Sequence, residues 1–200
     1  MTPVDDGDDP ELLAALADSQ RLGLLGAGRG VAEIVDHAGA FVDALSGVAG
    51  TVIDLGSGGG VPGLVIARAR PDLRLVLVDR RTARADHLVR LLGRLDLGDR
   101  VEVLAIDAAT LGRNRPGAAD AVVARGFGPP AATLRAARPL LKDDGLVVVS
   151  EPPRCERGRW PATLLDELDL ISMAQPDRRV AVFRRVHRPA AAGPGPAPRP

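Results

Sequence analysis

Between residues 50 and 150, short apolar runs alternate with longer stretches that have helical periodicity. The apolar runs are TVIDL, LRLVLVD, RVEVLAID, ADAVVARGF and GLVVVSE, and the stretches between them include PGLVIARAR, TARADHLVRLLGRL and PAATLRAARPLL. Repeated strand–helix–strand units form a parallel sheet, because each helix returns the chain to the same end of the sheet. We therefore predict an α/β fold with a doubly wound, mostly parallel, seven-stranded sheet of Rossmann-like type.

The segment LDLISMAQPDRRVAVFRRV breaks this alternation. It holds two apolar runs around a turn signal at Pro176 and Asp177, and this pattern predicts an antiparallel hairpin that closes the sheet. The clearest helical pattern lies between residues 82 and 95, where leucines recur on one face, and Thr82 is expected to cap that helix.

Two more helices are predicted ahead of the sheet, from PELLAALADSQRLGLL and VAEIVDHAGAFVDAL. They would form a helical N-terminal cap over residues 10–47, followed by an α/β domain over 48–187. The acidic residues 1–9 and the Pro/Ala/Gly tail at 188–200 are expected to be disordered.

Composition excludes several classes of protein. Basic and acidic residues number 26 each, so no net charge draws the chain to nucleic acid or membrane. The polar start MTPVDDGDDP does not resemble a signal peptide, and no apolar run is long enough to cross a membrane. Cys155 is the single cysteine, which excludes a disulfide within one chain. We expect a soluble cytoplasmic protein with no metal site, and the oligomeric state stays open.

The stretch TVIDLGSGGGVPGL, residues 51–64, follows the first predicted strand. In doubly wound sheets ligands bind beyond the carboxyl ends of the strands, so this turn is expected to face a ligand. Glycine permits positive φ and close approach of the backbone to a ligand. Pro62 is expected in the first turn of the following helix.

Two glycine patterns compete within this turn. Gly58, Gly60 and Gly63 satisfy G-x-G-x-x-G, the dinucleotide fingerprint. Asp54, Gly56, Gly58 and Gly60 instead give acid-x-G-x-G-x-G, which resembles the first motif of S-adenosylmethionine-dependent methyltransferases. A carboxylate is unfavourable beside a pyrophosphate because like charges repel, and it is favourable beside the ammonium of a methionine moiety because opposite charges attract. Asp54 therefore favours S-adenosylmethionine over NAD, with an NAD-dependent oxidoreductase as an alternative.

Acids also close the next two predicted strands. Asp79 ends LRLVLVD, where a carboxylate can accept both ribose hydroxyls of NAD or S-adenosylmethionine alike. Asp107 follows RVEVLAID, where methyltransferases commonly place an acid that accepts from the adenine amino group. Together with Asp54, these acids predict that an adenosine ligand binds at this edge of the sheet.

A longer string, residues 52–88, resembles the glucose-inhibited division protein B family, whose characterised members are small-subunit ribosomal RNA guanine-N7 methyltransferases. Asp54 to Leu64 match the family motif D-[VL]-G-[ST]-G-x-G-x-P-G-[LI] throughout. VVARGF at 122–127, RPLLKDDG at 138–145 and VDAL at 42–45 are also similar to family elements. The resemblance covers about residues 40 to 150.

This resemblance implies a methyltransferase domain over residues 48–187, S-adenosyl-L-methionine as cofactor, and 16S ribosomal RNA or the small ribosomal subunit as partner. Gly56, Gly58 and Val61 would line the methionine and ribose end. Arg125 would lie beside cofactor and substrate, and Phe127 could stack on a base. The complete implied cofactor set is Asp54, Gly56, Ser57, Gly58, Gly60, Val61, Asp79, Asp107, Ala108, Ala109 and Arg125. His37, His87 and His187 are taken as structural, so no catalytic base is expected. This absence favours guanine N7 as the acceptor atom, because its free lone pair needs no base.

The chain also departs from the family pattern, mainly on the substrate side. Asp107-Ala108-Ala109 replaces R-[AV]-E, the asparagine-leucine-threonine element is absent, and the H-x-x-D spacing becomes His37 to Asp43. Glu151-Pro152-Pro153 replaces lysine-glycine and would reverse a charge at the cleft rim. These departures leave two alternatives, a diverged small-molecule methyltransferase and a non-catalytic cofactor-binding module.

The sequence also allows predictions for a group of arginines and for the single tryptophan. Arg80, Arg81 and Arg84 are expected either to form a basic edge for RNA or to lie on a solvated helix start. Trp160, the single tryptophan, is expected to pack against the sheet.

Overall fold

The computed structural model describes residues 9–152, 158–174 and 179–187. The predicted disorder of residues 1–8 and 188–200, the turn at 176–177 and Cys155 all lie outside the described residues. Asp9, predicted to be disordered, is ordered and caps the first helix, since its Oδ1 accepts from Leu12 N at 3.0 Å.

Strands and helices alternate through most of the chain. The strands are β1 (Thr51–Leu55), β2 (Arg74–Val78), β3 (Val101–Leu104), β4 (Ala119–Ala124), β5 (Leu141–Ser150), β6 (Leu170–Met173) and β7 (Val180–Arg185). The helices are α1 (Pro10–Arg21), α2 (Val31–Ala44), α3 (Gly63–Ala69), α4 (Thr82–Leu95), α5 (Ala108–Asn114), α6 (Pro130–Ala137) and α7 (Ala162–Glu167), with a 3₁₀ turn at Arg138–Leu140.

The seven strands form one sheet in the order β3-β2-β1-β4-β5-β7-β6. Neighbours from β3 through β5 pair in parallel, whereas β7 is antiparallel to both β5 and β6. The predicted mostly parallel sheet with a C-terminal antiparallel hairpin is therefore confirmed. Strand order reverses between β1 and β4, and ligands bind at such a switch point in open α/β sheets.

Helices cover both faces of the sheet, and the core is split accordingly. On one face, α1 to α4 pack on the sheet through fully buried side chains such as Phe41, Leu64 and Leu88. On the other face, α5 to α7 pack on residues such as Leu55 and Phe183. Both faces of the central strands are apolar because both are buried.

The two N-terminal helices dock onto the sheet domain through specific contacts. Ser19 Oγ and His87 Nε2 lie 2.8 Å apart in a buried hydrogen bond that joins α1 to α4. The Gln20 amide donates to the carbonyls of Gly26 and Arg29, both at 2.8 Å. The connection between α1 and α2, residues 22–30, is therefore held in a defined position, and we call it the covering loop.

Three local predictions were wrong or incomplete. Thr82 is the first residue of α4, and the preceding residue, Arg81, makes no side-chain cap. Pro62 precedes α3 rather than lying within its first turn, and the Val61–Pro62 peptide bond is cis. Helices α5 and α7 were not predicted, because six or seven residues are too few to show a helical period.

Trp160 packs on the sheet as predicted. Its ring meets that of Phe183 on β7 edge-on, with centroids 4.8 Å apart. No helix among the described residues is long and apolar enough to cross a membrane.

Candidate functional site

A cavity of about 520 Å³ opens at the carboxyl ends of β1, β2 and β3. We call it the first cavity. Its walls come from the loops that follow these strands and β4, and they include Gly56, Asp79, Arg84, Asp107 and Phe127. This is the edge at which the sequence predicted a ligand.

The glycine turn after β1 is tied to the end of β2. The amides of Gly56 and Ser57 both donate to the carbonyl of Val78, at 2.8 and 3.0 Å. Ser57 Oγ donates to the Asp54 carbonyl at 2.9 Å and accepts from Val78 N at 3.0 Å. Ser57 is buried, and its hydroxyl is used in these hydrogen bonds to the backbone of β1 and β2. Its predicted contact with the cofactor stays a prediction. The turn is therefore a fixed structure that two strands support.

Glycines are required in this turn for different reasons. Gly56, Gly58 and Gly60 have φ of +72°, +52° and +100°, a region that disfavours other residues. A Cβ on Gly60 would also lie 2.5 Å from Leu64 Cδ1, so a side chain there would force the buried Leu64 to shift. Of these three, Gly56 lines the first cavity, while Gly58 and Gly60 shape the turn behind it.

Asp54 is a buried acid with an unsatisfied oxygen. The side chain is fully buried, and its Oδ2 accepts from Gly63 N at 3.1 Å. Its Oδ1 has no hydrogen-bond partner among the described residues. Burial raises the pKa of Asp54 to about 7, although the nearby Ser57 hydroxyl, the Gly63 amide and the positive charge of Arg125 act in the opposite direction. Such an acceptor is satisfied when a ligand or a water donates to it.

Asp79, at the end of β2, organises the turn from the other side. It is 5% exposed, accepts from Gly58 N at 3.1 Å through Oδ2, and accepts from Arg81 N at 2.9 Å through Oδ1. Arg84 Nη1 lies 3.6 Å from Oδ2. Each carboxylate oxygen has two lone-pair sites, so these bonds leave acceptor capacity toward the cavity. Its predicted contact with ribose stays a prediction.

Asp107 has a structural role that the sequence reading missed. It caps α5, with Oδ1 accepting from Thr110 N at 2.9 Å and Oδ2 from Thr110 Oγ1 at 2.6 Å. These hydrogen bonds lower the pKa of Asp107. Asp107, Ala108 and Ala109 all line the first cavity, as predicted for residues near an adenine. The predicted contact with the adenine amino group would have to coexist with the cap.

Val61 is buried in the apolar cluster, and its side chain lines neither of the two cavities. Its predicted place at the methionine and ribose end of the cofactor stays a prediction. Arg80, Arg81 and Arg84, in contrast, all line the first cavity. These three arginines therefore belong to the wall of the first cavity, and their predicted role toward RNA stays a prediction.

A second cavity of about 360 Å³ adjoins the first, and Gly126 and Phe127 line both. We call it the second cavity. The ring of Phe127 lies over the glycine turn, with Cδ2 3.0 Å from the position of a Cβ on Gly56. Arg125 also lines the second cavity. Phe127 thus lies between the two cavities.

Glu151 lines the second cavity but is not a free acid at its rim. It is 8% exposed, the indole Nε1 of Trp160 donates to its Oε1, and Arg159 Nε lies 3.2 Å from its Oε2. Arg159 in turn lies over the Trp160 ring, 5.4 Å from its centroid. The expectation that Glu151 reverses the charge at the rim is wrong, because Arg159 neutralises it.

The two helical histidines have different surroundings. His87 is buried against Ser19, and burial lowers its pKa, so the prediction of a structural histidine is confirmed. His37, which the sequence analysis took as structural, lines the second cavity. A titratable ring therefore lies on this side of the site, and the missing base no longer argues for an N7 acceptor.

The covering loop is the largest part of the site that the sequence did not predict. Leu25 Cγ lies 2.7 Å from the position of a Cβ on Gly59, and the Leu24 carbonyl lies 3.0 Å from it. The loop therefore packs directly on the glycine turn and brings Arg29 to the second cavity. No sequence signal links residues 22–30 to the turn, because the contact is tertiary.

Comparison with known proteins shows the family of the chain. The family described as rRNA small subunit methyltransferase G, or GidB, matches residues 29–152. The chain belongs to the rRNA small subunit methyltransferase G family. The matched span includes the glycine turn, the three strand-end acids, Arg125, Phe127 and Arg29, so both cavities lie largely within it.

Individual relatives carry the same name. Ribosomal RNA small subunit methyltransferase G of Sorangium cellulosum is 34% identical over 137 residues, 66% of this chain and 57% of that protein. The protein of that name from Salinispora arenicola is 41% identical over 102 residues, 49% of this chain and 42% of that protein. The chain spans about half the length of the curated relatives it matches.

Solved structures share the fold. A methyltransferase from Geobacter sulfurreducens superimposes with a TM-score of 0.64 at 19% identity, covering 90% of each chain. A SAM-dependent O-methyltransferase from Thermotoga maritima gives 0.63 at 17% identity, covering 88% of this chain and 73% of that one. Within residues 9–152, 158–174 and 179–187, no group of three or more His, Cys, Asp or Glu residues could hold a metal ion.

Proposed function

We propose that this chain is an S-adenosylmethionine-dependent methyltransferase that acts on small-subunit ribosomal RNA. The observation that carries the proposal is Asp54, a buried acid with an orphan oxygen beside a glycine turn, in a member of the rRNA small subunit methyltransferase G family. A cytoplasmic location is part of the proposal, since that is where bacterial ribosomes are.

The residues present fit the cofactor. Asp54 is fully buried behind the glycine turn and lines neither cavity, and its orphan Oδ1 would accept from the ammonium of the methionine moiety. An approaching cation would lower the pKa of that acid because it favours the ionised form. Gly56 lets the backbone approach without a side chain. Asp79 would hold the ribose, and Asp107, Ala108 and Ala109 would border the adenine. When bound, the cofactor supplies an electrophilic methyl group on a sulfonium.

The acceptor would lie in the second cavity. Transfer from a sulfonium requires nucleophile, methyl and sulfur to be nearly collinear, so the residues between the cavities must position the acceptor. Phe127 lies between them and presents a ring on which a base can stack. Guanine N7 as the acceptor atom is supported by the family to which the chain belongs. Its lone pair can attack the methyl group without prior deprotonation.

The decisive experiment is methyl transfer from radiolabelled S-adenosylmethionine to 30S subunits isolated from a strain that lacks this gene. We expect label in 16S ribosomal RNA, and mass spectrometry of the digested RNA is expected to show 7-methylguanosine. Label in no RNA, together with tight binding of S-adenosylhomocysteine, would contradict the RNA substrate and favour a small-molecule methyltransferase or a non-catalytic module. Binding of NADH but not S-adenosylhomocysteine would contradict the cofactor assignment.

A further inference from the structure

Arg125 is a partly buried guanidinium near Asp54, whose negative charge acts to raise the pKa of Arg125. It follows β4 and lines the second cavity, and no hydrogen bond or ion pair joins it to any other described residue. Desolvation lowers its pKa, which shows that its charge is costly where it lies. A guanidinium presents five donors and remains charged at any physiological pH, so a desolvated one requires an acceptor.

Arg29 reaches the same cavity from the covering loop. Its backbone is held by Gln20, whose amide donates to the Arg29 carbonyl at 2.8 Å. The Arg29 side chain is 42% exposed, and its Nε lies 3.2 Å from Glu33 Oε1. Exposed ion pairs of this kind are weak, so Arg29 can exchange Glu33 for a stronger anion.

The charges that line the second cavity are not balanced. Its described lining contains Arg29, Arg125 and Arg159 against one carboxylate, Glu151, which Arg159 neutralises. Arg29 and Arg125 are close enough to repel each other, since the charge of Arg29 acts to lower the pKa of Arg125. An oxyanion between two such guanidiniums would convert their repulsion into two charge-assisted hydrogen-bonding contacts.

We propose that Arg29 and Arg125 together bind one phosphate of the RNA backbone, next to the nucleotide that receives the methyl group. This rests on the proposed function. The cofactor carboxylate has the same chemistry, but a backbone phosphate is favoured because Arg29 is solvent-exposed and lies in the second cavity, beyond Phe127 from the adenosine side. The covering loop, packed on the glycine turn, would then couple RNA binding to the cofactor site.

The test is the salt dependence of RNA binding. Dissociation constants for in vitro transcribed 16S ribosomal RNA are measured between 50 and 300 mM KCl for the wild type and Arg29→Ala, with Arg74→Ala as the matched control. Arg74 is an exposed arginine at the opposite end of the sheet, at the start of β2. We expect Arg29→Ala to weaken binding at low salt and to reduce the slope of log Kd against log salt by about 0.7, the contribution of one phosphate contact. Arg74→Ala is expected to leave the slope unchanged.

Calorimetry with S-adenosylhomocysteine and with 5′-methylthioadenosine, which lacks the methionine carboxylate and ammonium, distinguishes the two sources of the oxyanion. Arg29→Ala is expected to bind both as the wild type does. Weaker S-adenosylhomocysteine binding with unchanged 5′-methylthioadenosine binding would assign the cofactor carboxylate instead and overturn the proposal. A salt slope of Arg29→Ala equal to that of the wild type would also overturn the phosphate proposal. The proposed function would still stand in that case if the wild type binds the cofactor and methylates the RNA. If the wild type itself does not bind S-adenosylhomocysteine, the proposed function fails.

Discussion

The Asp54→Asn variant tests whether Asp54 serves ligand binding even though its buried charge lowers the stability of the folded protein. Asn is nearly isosteric, and its carbonyl oxygen can still accept from Gly63 N. The variant removes the charge that burial makes unfavourable. We therefore expect the free variant to gain stability over the wild type as pH rises, and to bind S-adenosylhomocysteine more weakly.

The magnitude follows from linkage. The folded pKa of Asp54 is raised from 3.8 to about 7, so the folded state binds more protons than the unfolded state between these values. The stability that protonated Asp54 contributes is complete below the unfolded pKa and is lost as pH rises through about 7. Over pH 5 to 8 this loss amounts to roughly 2–3 kcal/mol in the wild type. The variant has no such loss, and the cost of an unpaired amide donor, roughly 1–3 kcal/mol, applies at both pH values and cancels.

The assay is urea unfolding at pH 5 and at pH 8. The unfolding is monitored by the fluorescence of Trp160, which packs on Phe183 in the core. We expect the stability difference, variant minus wild type, to increase by roughly 2–3 kcal/mol from pH 5 to pH 8. The exposed Asp86→Asn on α4 controls for the removal of an acid in general. Calorimetry at pH 8 is expected to show S-adenosylhomocysteine affinity lower by roughly 1.5–3 kcal/mol, the range for a hydrogen bond to a charged group. A stability difference independent of pH, or unchanged affinity, would refute the reasoning.

Three further variants test the turn and the docking of the N-terminal helices. Asp79→Ala removes acceptors for Gly58 N and Arg81 N, so calorimetry should show S-adenosylhomocysteine affinity weaker by roughly 1–3 kcal/mol; an unchanged Kd would contradict the site assignment. Gly58→Val places a β-branched residue at φ +52°, which should cost roughly 1–3 kcal/mol of unfolding free energy and abolish cofactor binding; wild-type Tm and Kd would argue against this. Ser19→Ala should lower stability by about 1 kcal/mol through the lost contact with His87, with cofactor affinity preserved, and a loss of affinity would indicate a wider role for α1.

Local pattern was sufficient for the architecture and for the ligand edge. The alternation of apolar runs with helical stretches predicted the parallel sheet, because strands buried on both faces need apolar residues and crossover helices need a period near 3.6. The carboxyl ends of parallel strands meet at one edge, so Asp54, Asp79 and Asp107 were predicted to converge, and Asp79 and Asp107 do line the same cavity. Short helices such as α5 were missed because their length hides their period.

The sequence by itself therefore determined the sheet, its closing hairpin, the glycine turn and the acids that surround it. Tertiary structure decided how those acids are used: Asp54 is left with an orphan oxygen, Asp107 caps α5, and Glu151 is neutralised by Arg159. It alone brought the covering loop and Arg29 onto the site. The physical reason is that period and turn chemistry act over a few residues, whereas burial, charge pairing and loop packing depend on residues far apart in the chain.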